Sequence, residues 1–355
     1  MKIEIEPIWR FTQEGNSESL LLAPEFLNSI QITRTISEAA DLSNLSLRHA
    51  LNLLDKWSAF FGSPLVDHTH GPNVVLTPLG TKLVWAGQLL HARLGPQLQN
   101  FAQELEEELR ELLPSYQPVL RVHASHGFAV AKLRELLLNE KDLGVDLRYV
   151  TNQSSLVSLA QEGCELAGMH LPIGELRRRS VDAAKDWLIP SVHRVIGFVT
   201  REIGLIVQPG NPLGIISPTD LANRPVRFVN RDLGSGTRVL FDYLLEHLKL
   251  NTSSINGYTR TESTHAAVAA CVASDIADVG FGVKAAAYQY RMGFIPLITE
   301  DYFFVCRKQL LETVAMKRVL AIMQGEEFRA AISELPGYSA SDPGEVKTVS
   351  LVFHP

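Results

Sequence analysis

Residues able to hold an anion recur wherever a short apolar run gives way to a helical pattern in the C-terminal two thirds of the chain. The fullest instance is Asn230-Arg231-Asp232-Leu233-Gly234-Ser235-Gly236-Thr237-Arg238. Its glycines let the backbone approach a ligand, while Ser235, Thr237 and the unsatisfied N–H groups of the opening helix form a cradle that the helix dipole makes attractive to negative charge. Ser125-His126-Gly127, Asn152-Gln153-Ser154-Ser155 and Ser263-Thr264-His265 repeat the junction in shorter form. Any one serine or threonine serves equally well as a helix N-cap, so the argument rests on the set. In open α/β sheets such junctions converge on one crevice. The expected pocket therefore holds Ser125, His126, Ser154, Ser155, His170, Ser235, Gly236, Thr237, Thr264 and His265, with Arg231 or Arg238 near its rim. The histidines suit donors to an anion better than zinc ligands, because they lie 44 and 95 residues apart without paired spacing. No Walker or dinucleotide fingerprint occurs, and no nucleophile elbow supports a triad of Ser125, His265 and Asp278, so the chain does not read as an enzyme.

A second constellation lies near the N-terminus. Ser46, Leu47, Arg48, His49 and Asn52 open a helix that follows a shorter one across Ser43-Asn44, a helix-turn-helix spacing in which the start of the second helix faces base edges. Arg48 can fork onto guanine, Asn52 can pair with adenine, and Ser46 can donate to a phosphate. An ordinary solvated helix face is the plain alternative for each residue alone. His68 and His70 sit at the tip of a following strand-turn-strand, where they extend the same surface.

These groups need elements to position them. Ile3 to Phe11 and Ser19 to Leu22 read as a hairpin, Pro24 opens a helix to about Thr33, and helices over Ile36 to Leu42 and Leu47 to Phe61 follow, with Ser46 as N-cap. Val66 and Val74 to Leu76 flank the turn of a wing. Thr77-Pro78 starts a long helix toward Leu113 whose apolar stripe and acidic run suit a dimer-forming linker, kinked at Gly95-Pro96 and ended by Pro114 to Pro118. From Val119 onward short apolar runs alternate with helical patterns, which predicts α/β structure in two lobes around a cleft. The organisation expected is a winged helix-turn-helix head over 1–80, a dimerisation helix over 81–114 and an effector domain over 119–355.

The runs Ser46 to Ala50, Phe61 to Val66 and Leu76 to Gly80 resemble the winged helix of molybdate-responsive ModE-type regulators, which are related to the LysR-type helix-turn-helix. The later runs Gly204 to Pro212, Arg227 to Arg238, Thr264 to Ala269 and Ala277 to Gly282 resemble the periplasmic-binding-protein-like domain fused to such heads, in place of ModE's small oligonucleotide-fold-like domains. The resemblance implies a one-component regulator of double-stranded DNA that responds to molybdate, tungstate or a molybdenum-cofactor compound. A LysR-like regulator sensing a small organic acid tied to a molybdoenzyme pathway is the alternative within the class, and an enzyme domain with a DNA-binding head is the alternative from another.

Composition narrows the field. With 355 residues, 46% of them hydrophobic and 20% charged, the chain exceeds one ordinary core, and no apolar stretch is long enough for a membrane span. The opening residues carry no secretory signal, so a cytoplasmic location is expected. Three widely spaced cysteines, Cys164, Cys271 and Cys306, argue against a disulfide framework. The chain's net charge of −6 lies entirely in residues 1–113, and residues 21–95 carry five basic and five acidic side chains. Low intrinsic affinity for DNA follows, which makes binding as a homodimer or higher oligomer more necessary.

Overall fold

The computed structural model describes residues 2–13, 16–19, 23–68, 73–112, 119–140 and 143–353. They divide into one unit over residues 5–95 and another over 96–355 that also takes in residues 2–4. His70, the end of the second expected strand at Leu20 to Leu22 and the break at Pro114 to Pro118 lie outside the described residues.

In the first unit the strands β1 (Arg10–Gln13) and β2 (Asn16–Ser19) pair antiparallel. The strand expected from Ile3 thus begins seven residues later, because Pro7 has no N–H to donate to a ladder. Helices α1 (Ala23–Thr33), α2 (Ile36–Leu42) and α3 (Leu47–Phe61) follow, then the hairpin β3 (Val66–His68) and β4 (Val74–Leu76), and the first part of α4 (Pro78–Glu111). The boundaries have local causes. Thr35 Oγ1 accepts the Glu38 amide at the start of α2, Asn44 takes a φ of 53° in the turn, and Ser46 Oγ accepts the His49 amide to cap α3. Gly62 then ends α3 in the left-handed conformation. Phe26, Leu27, Ile30, Ala40, Leu54 and Trp57 meet Leu65, Val74, Leu83 and Val84 in one core.

The second unit is built on a sheet of β5 (Leu120–Ala124), β6 (Val145–Tyr149), β7 (Leu166–Pro172), β8 (His193–Val207), β9 (Phe228–Arg231), β10 (Thr261–Glu262), β11 (Val279–Val283), β12 (Gly293–Arg307), β13 (Tyr338–Ser339) and β14 (Val346–Thr348). The main path runs β10-β9-β11-β8-β12-β7-β5-β6, with β13 and β14 added to β8. Strands β5, β6 and β7 are parallel among themselves, as are β9, β10 and β11. Between these two parallel groups run β8 and β12, each 15 residues long and antiparallel to one another. The sequence pattern gave Glu202 to Gln208 as a short run; it is the end of β8, whose apolar pattern is broken by the buried Arg201.

Helices α5 (Phe128–Leu138), α6 (Asn152–Ala160) and α7 (Arg177–Ala184) follow the strands of one lobe, and α8 (Pro218–Asn223), α9 (Gly236–His247), α10 (His265–Ala273) and α11 (Lys284–Gln289) belong to the other. The C-terminal helices α12 (Val314–Gln324) and α13 (Glu326–Ser333) return to the first lobe, where Met316, Val319, Phe328 and Ile332 share a core with Leu120, Val122, Leu133 and Leu147. A short α14 (Val349–Phe353) packs Phe353 edge-on to Phe303. Among the described residues no helix is long and apolar enough to cross a membrane.

One glycine fixes the β3–β4 hairpin of the first unit. A Cβ at Gly80 would overlap the carbonyl oxygen of Leu65, while Thr77 Oγ1 donates to the Pro64 carbonyl and accepts the Gly80 amide. The approach is between two stretches of backbone, so no side chain can yield. Gly80→Ala is expected to lower stability by about 1–3 kcal/mol, read as an earlier thermal transition of the first unit; an unchanged transition would contradict this packing.

Candidate functional site

Three strands bring a buried charge cluster to the middle of the second unit. Arg201 lies on β8, Glu300 on β12 and His170 on β7, all shielded from solvent. Arg201 Nε donates to Glu300 Oε2 at 2.8 Å, and His170 Nδ1 meets Oε1 at 3.1 Å. Burial pushes the Glu300 carboxyl upward, yet His170 and Arg201 outweigh it and hold the group down to about 2. Since an ionised carboxylate only accepts, Nδ1 of His170 carries the proton. Burial lowers the His170 pKa against the pull of Glu300, which leaves the ring neutral.

The strand-to-helix junctions surround this cluster. From β9, Arg231 is buried and donates through Nε and Nη2 to the carbonyls of Glu262 and Ser263, at 3.2 and 2.7 Å. Burial brings its guanidinium down to about 10, with Asp232 opposing and Arg201 adding to the fall. His265, at the first turn of α10, is held well below its ordinary value first by burial and then by Arg231, Arg201, His170 and His126. It is neutral at pH 7, inside a field that is positive. The cluster brings two guanidinium groups, three imidazoles and the Glu300 carboxylate within electrostatic reach of one another.

Among the described residues several polar atoms here are buried with no well-aligned hydrogen bond: His265 Nδ1, Ser125 Oγ beside the Tyr302 hydroxyl, Arg201 Nη2 beside Glu300 and Tyr338, and the acceptor Asp232 Oδ1, 3.7 Å from Arg231 Nη2. Arg201 Nη2 comes within 2.8 Å of Glu300 Oε2, off the line of a hydrogen bond. Unsatisfied buried polar atoms are costly, and their grouping makes this a candidate ligand-binding position. Two helices add to it. Neither α5, which starts after Gly127, nor α9, which starts after Ser235, has its first turn capped by a side chain.

Of the residues singled out in the sequence, Ser125, His126, His170, Arg231, Ser235, Thr237 and His265 lie at this cluster or at the junctions bounding it. Gly236 lies against His170, where a Cβ would come within 2.5 Å of Cε1. Four others differ. Ser155 directs its hydroxyl to the carbonyls of Gly168 and Asn152, and exposed Ser154 pairs its hydroxyl with Thr151 Oγ1. Thr264 accepts the Ala267 amide as the cap of α10. Arg238, expected at the rim, is buried; its Nε donates to Asp242 at 3.0 Å and its guanidinium stacks 4.3 Å over Tyr258. Arg231 is likewise inside rather than at the rim. Sequence reasoning missed Arg201, Glu300 and Asp232, although a charged residue amid β-branched and aromatic neighbours, as in Val199-Thr200-Arg201-Glu202-Ile203, is a usable signal.

In the first unit Ser46, Leu47, Arg48, His49 and Asn52 are all exposed on one end of α3, and His68 is exposed at the end of β3.

The α/β domain and its cleft place the chain in a known class: it belongs to the PBP superfamily, whose domain profile matches residues 134–324. Among individual proteins, the uncharacterized YvgK of Bacillus subtilis is 31% identical over 245 residues, covering 69% of this chain and 79% of that protein. A Clostridium pasteurianum protein encoded in the 5′ region of a 2Fe-2S ferredoxin gene is 32% identical over 111 residues, 31% of this chain and 98% of its own length. Two solved structures from Corynebacterium glutamicum are also similar. A cysteine-to-serine variant of OxyR with hydrogen peroxide bound has a TM-score of 0.44 at 15% identity, covering 88% of this chain and 93% of that one. Full-length LysG has 0.41 at 15% identity, covering 88% and 97%. Likeness at this level transfers no residue role.

Glu300→Gln would leave Arg201 buried without a counter-charge, at a cost of about 3–5 kcal/mol. Because the Glu300 pKa is depressed when folded, its contribution is present above the ordinary value of 4.5 and is lost as pH falls toward about 2. Urea titrations of the parent protein should lose stability over that window, and the variant should lose much less over it. Equal slopes in the two would sink the assignment.

Proposed function

We propose that this chain is a one-component transcription regulator in which the exposed end of α3 reads duplex DNA and the cleft of the second unit binds a small oxyanion. One observation carries the ligand reading: His265 Nδ1 is buried without a hydrogen-bond partner among the described residues, and Ser125 Oγ and Arg201 Nη2 are buried with only poorly aligned ones, in the field of the Arg201 and Arg231 guanidinium groups. A dianion with four oxygens satisfies such scattered donors. An organic carboxylate calls for two parallel donors of one guanidinium, but Arg201 has its Nε committed to Glu300, leaving Nη2 alone, and Arg231 is engaged by two carbonyls. Molybdate or tungstate, the effectors that the ModE-type resemblance implies together with molybdenum-cofactor compounds, fit this chemistry. The site is read as binding and not catalytic.

For the head, the support is the exposure of Ser46, Arg48, His49 and Asn52 at the start of a capped α3 that follows the Asn44 turn. Two copies pairing along the exposed Phe101, Leu105 and Leu109 of α4 would supply the second half-site that a head of balanced charge requires. The effector acts only through a difference in affinity between two arrangements of the regulator.

Calorimetric titration with molybdate should show saturable binding that Ser125→Ala weakens about 10- to 100-fold, the effect of a lost hydrogen bond to a charged group. A bound anion raises the His265 pKa, so protons are taken up on binding and affinity climbs as pH falls; titrations in buffers of different ionisation enthalpy read this directly. Parental affinity in Ser125→Ala, or no tetrahedral oxyanion bound at all, would remove the reading. On a site selected from random duplexes, Arg48→Ala should cost about 1–3 kcal/mol at one base position by fluorescence anisotropy. Equal affinity of variant and parent for their best sites would refute the recognition surface.

A further inference from the structure

Helix α4 passes from the first unit into the second at residues 95–96, with Pro96 inside it, and one turn further on Asn100 meets the edge of the sheet at β6. Its Nδ2 donates to the Tyr149 carbonyl and its Oδ1 accepts the Tyr149 amide, both at 2.8 Å. One side chain thus takes the place of a neighbouring strand. Two turns later on the same helix Glu107 pairs with Arg148, whose Nε donates to the buried Asp146 carboxylate at 3.0 Å. Tyr149 also faces the anion site. Its ring lies edge-on to His126, with centroids 4.8 Å apart, and its backbone stands opposite Ala124, the residue before Ser125. We propose that Asn100 is a latch through which α4 responds to the state of that site: a change at His126 shifts the ring and backbone of Tyr149, and the paired amide carries the shift to the helix.

The strength of the pairing suits the role. Two neutral amide hydrogen bonds are worth a factor of about 5–150 in an equilibrium, which is the range of coupling between two sites, so a ligand with a preference of that size can make or break the latch. The pairing is also directional. One planar amide serves both backbone groups of Tyr149, while the next amide along, that of Val150, is already given to the Ala124 carbonyl at 2.9 Å. A slip of one residue therefore loses the contact outright. The Glu107–Arg148 pair, partly open to solvent, adds attraction without that directionality. The inference rests on the proposed anion site for what occupies the cleft, but the contact between His126, Tyr149 and Asn100 stands without it.

Hydrogen exchange in the full-length protein reads the latch without any ligand. His126→Ala should speed exchange of the Tyr149 amide and of residues 97–104 by about threefold or more. Asn100→Leu should speed it as well, and His126→Ala added to that variant should then have no further effect. Asn100→Asp keeps an acceptor for the Tyr149 amide but sets an oxygen against its carbonyl, and gives the same test where Asn100→Leu fails to fold. Tyr149→Phe keeps the ring and the backbone and should behave as the parent does. An α4 indifferent to His126→Ala, or one that responds equally with and without Asn100, overturns the proposal. Molybdate supplies a second arm. It should alter the same exchange rates in the parent and leave them unaltered in Asn100→Leu, whose calorimetric affinity should stay within about twofold of the parent's. Molybdate bound with α4 unchanged overturns the latch, whereas absence of any oxyanion binding sinks the anion site alone and leaves the His126 arm to decide.

Discussion

Glu300 is a full negative charge kept out of water by two partners, Arg201 and His170, each on a different strand. Removal of any one of the three leaves a buried group without its complement, so β7, β8 and β12 are held in a common register where their side chains must meet. The same carboxylate decides the state of its neighbours. It keeps Arg201 charged and turns the His170 proton toward itself, while burial and then Arg231 and Arg201 depress His265.

The features legible in the sequence were those set by neighbours along the chain. Ser46 as a cap, Asn44 in the left-handed turn and the strand-to-helix junctions at Ser125, Ser235 and Thr264 depend on a few consecutive residues, and local chemistry is enough to read them. The long strands β8 and β12 escaped because their middles carry Arg201-Glu202 and Glu300-Asp301, which interrupt the apolar pattern. Their burial is made possible by one another across the sheet, a relation between positions 99 residues apart. Local reading fails where a polar residue's partner is remote. Ser155 illustrates the reverse error, since its hydroxyl reads as available from its neighbours but is taken by the Gly168 carbonyl.

The distribution of unsatisfied atoms distinguishes the two regions of the cleft. Around Ser125 and His265 polar atoms stand without well-aligned hydrogen bonds in a positive field, whereas around Trp187 and Tyr243 the charges are paired and the wall is apolar. His170 borders both.

The sheet order also constrains how this chain is made. One lobe is interrupted: its core joins Leu120 and Val122 to Phe328 and Ile332, and β7 pairs with β12. The other lobe, from β9 to β11, is uninterrupted in sequence. During synthesis at about 5–20 residues per second, the residues around Leu120 wait roughly 10–40 s for their partners to emerge. In that interval β5, β6 and β7 expose apolar faces and an open edge, while the intervening lobe can fold first. The residues at greatest risk from a slowed or truncated translation are thus near the middle of the chain, although the missing ones are at its end.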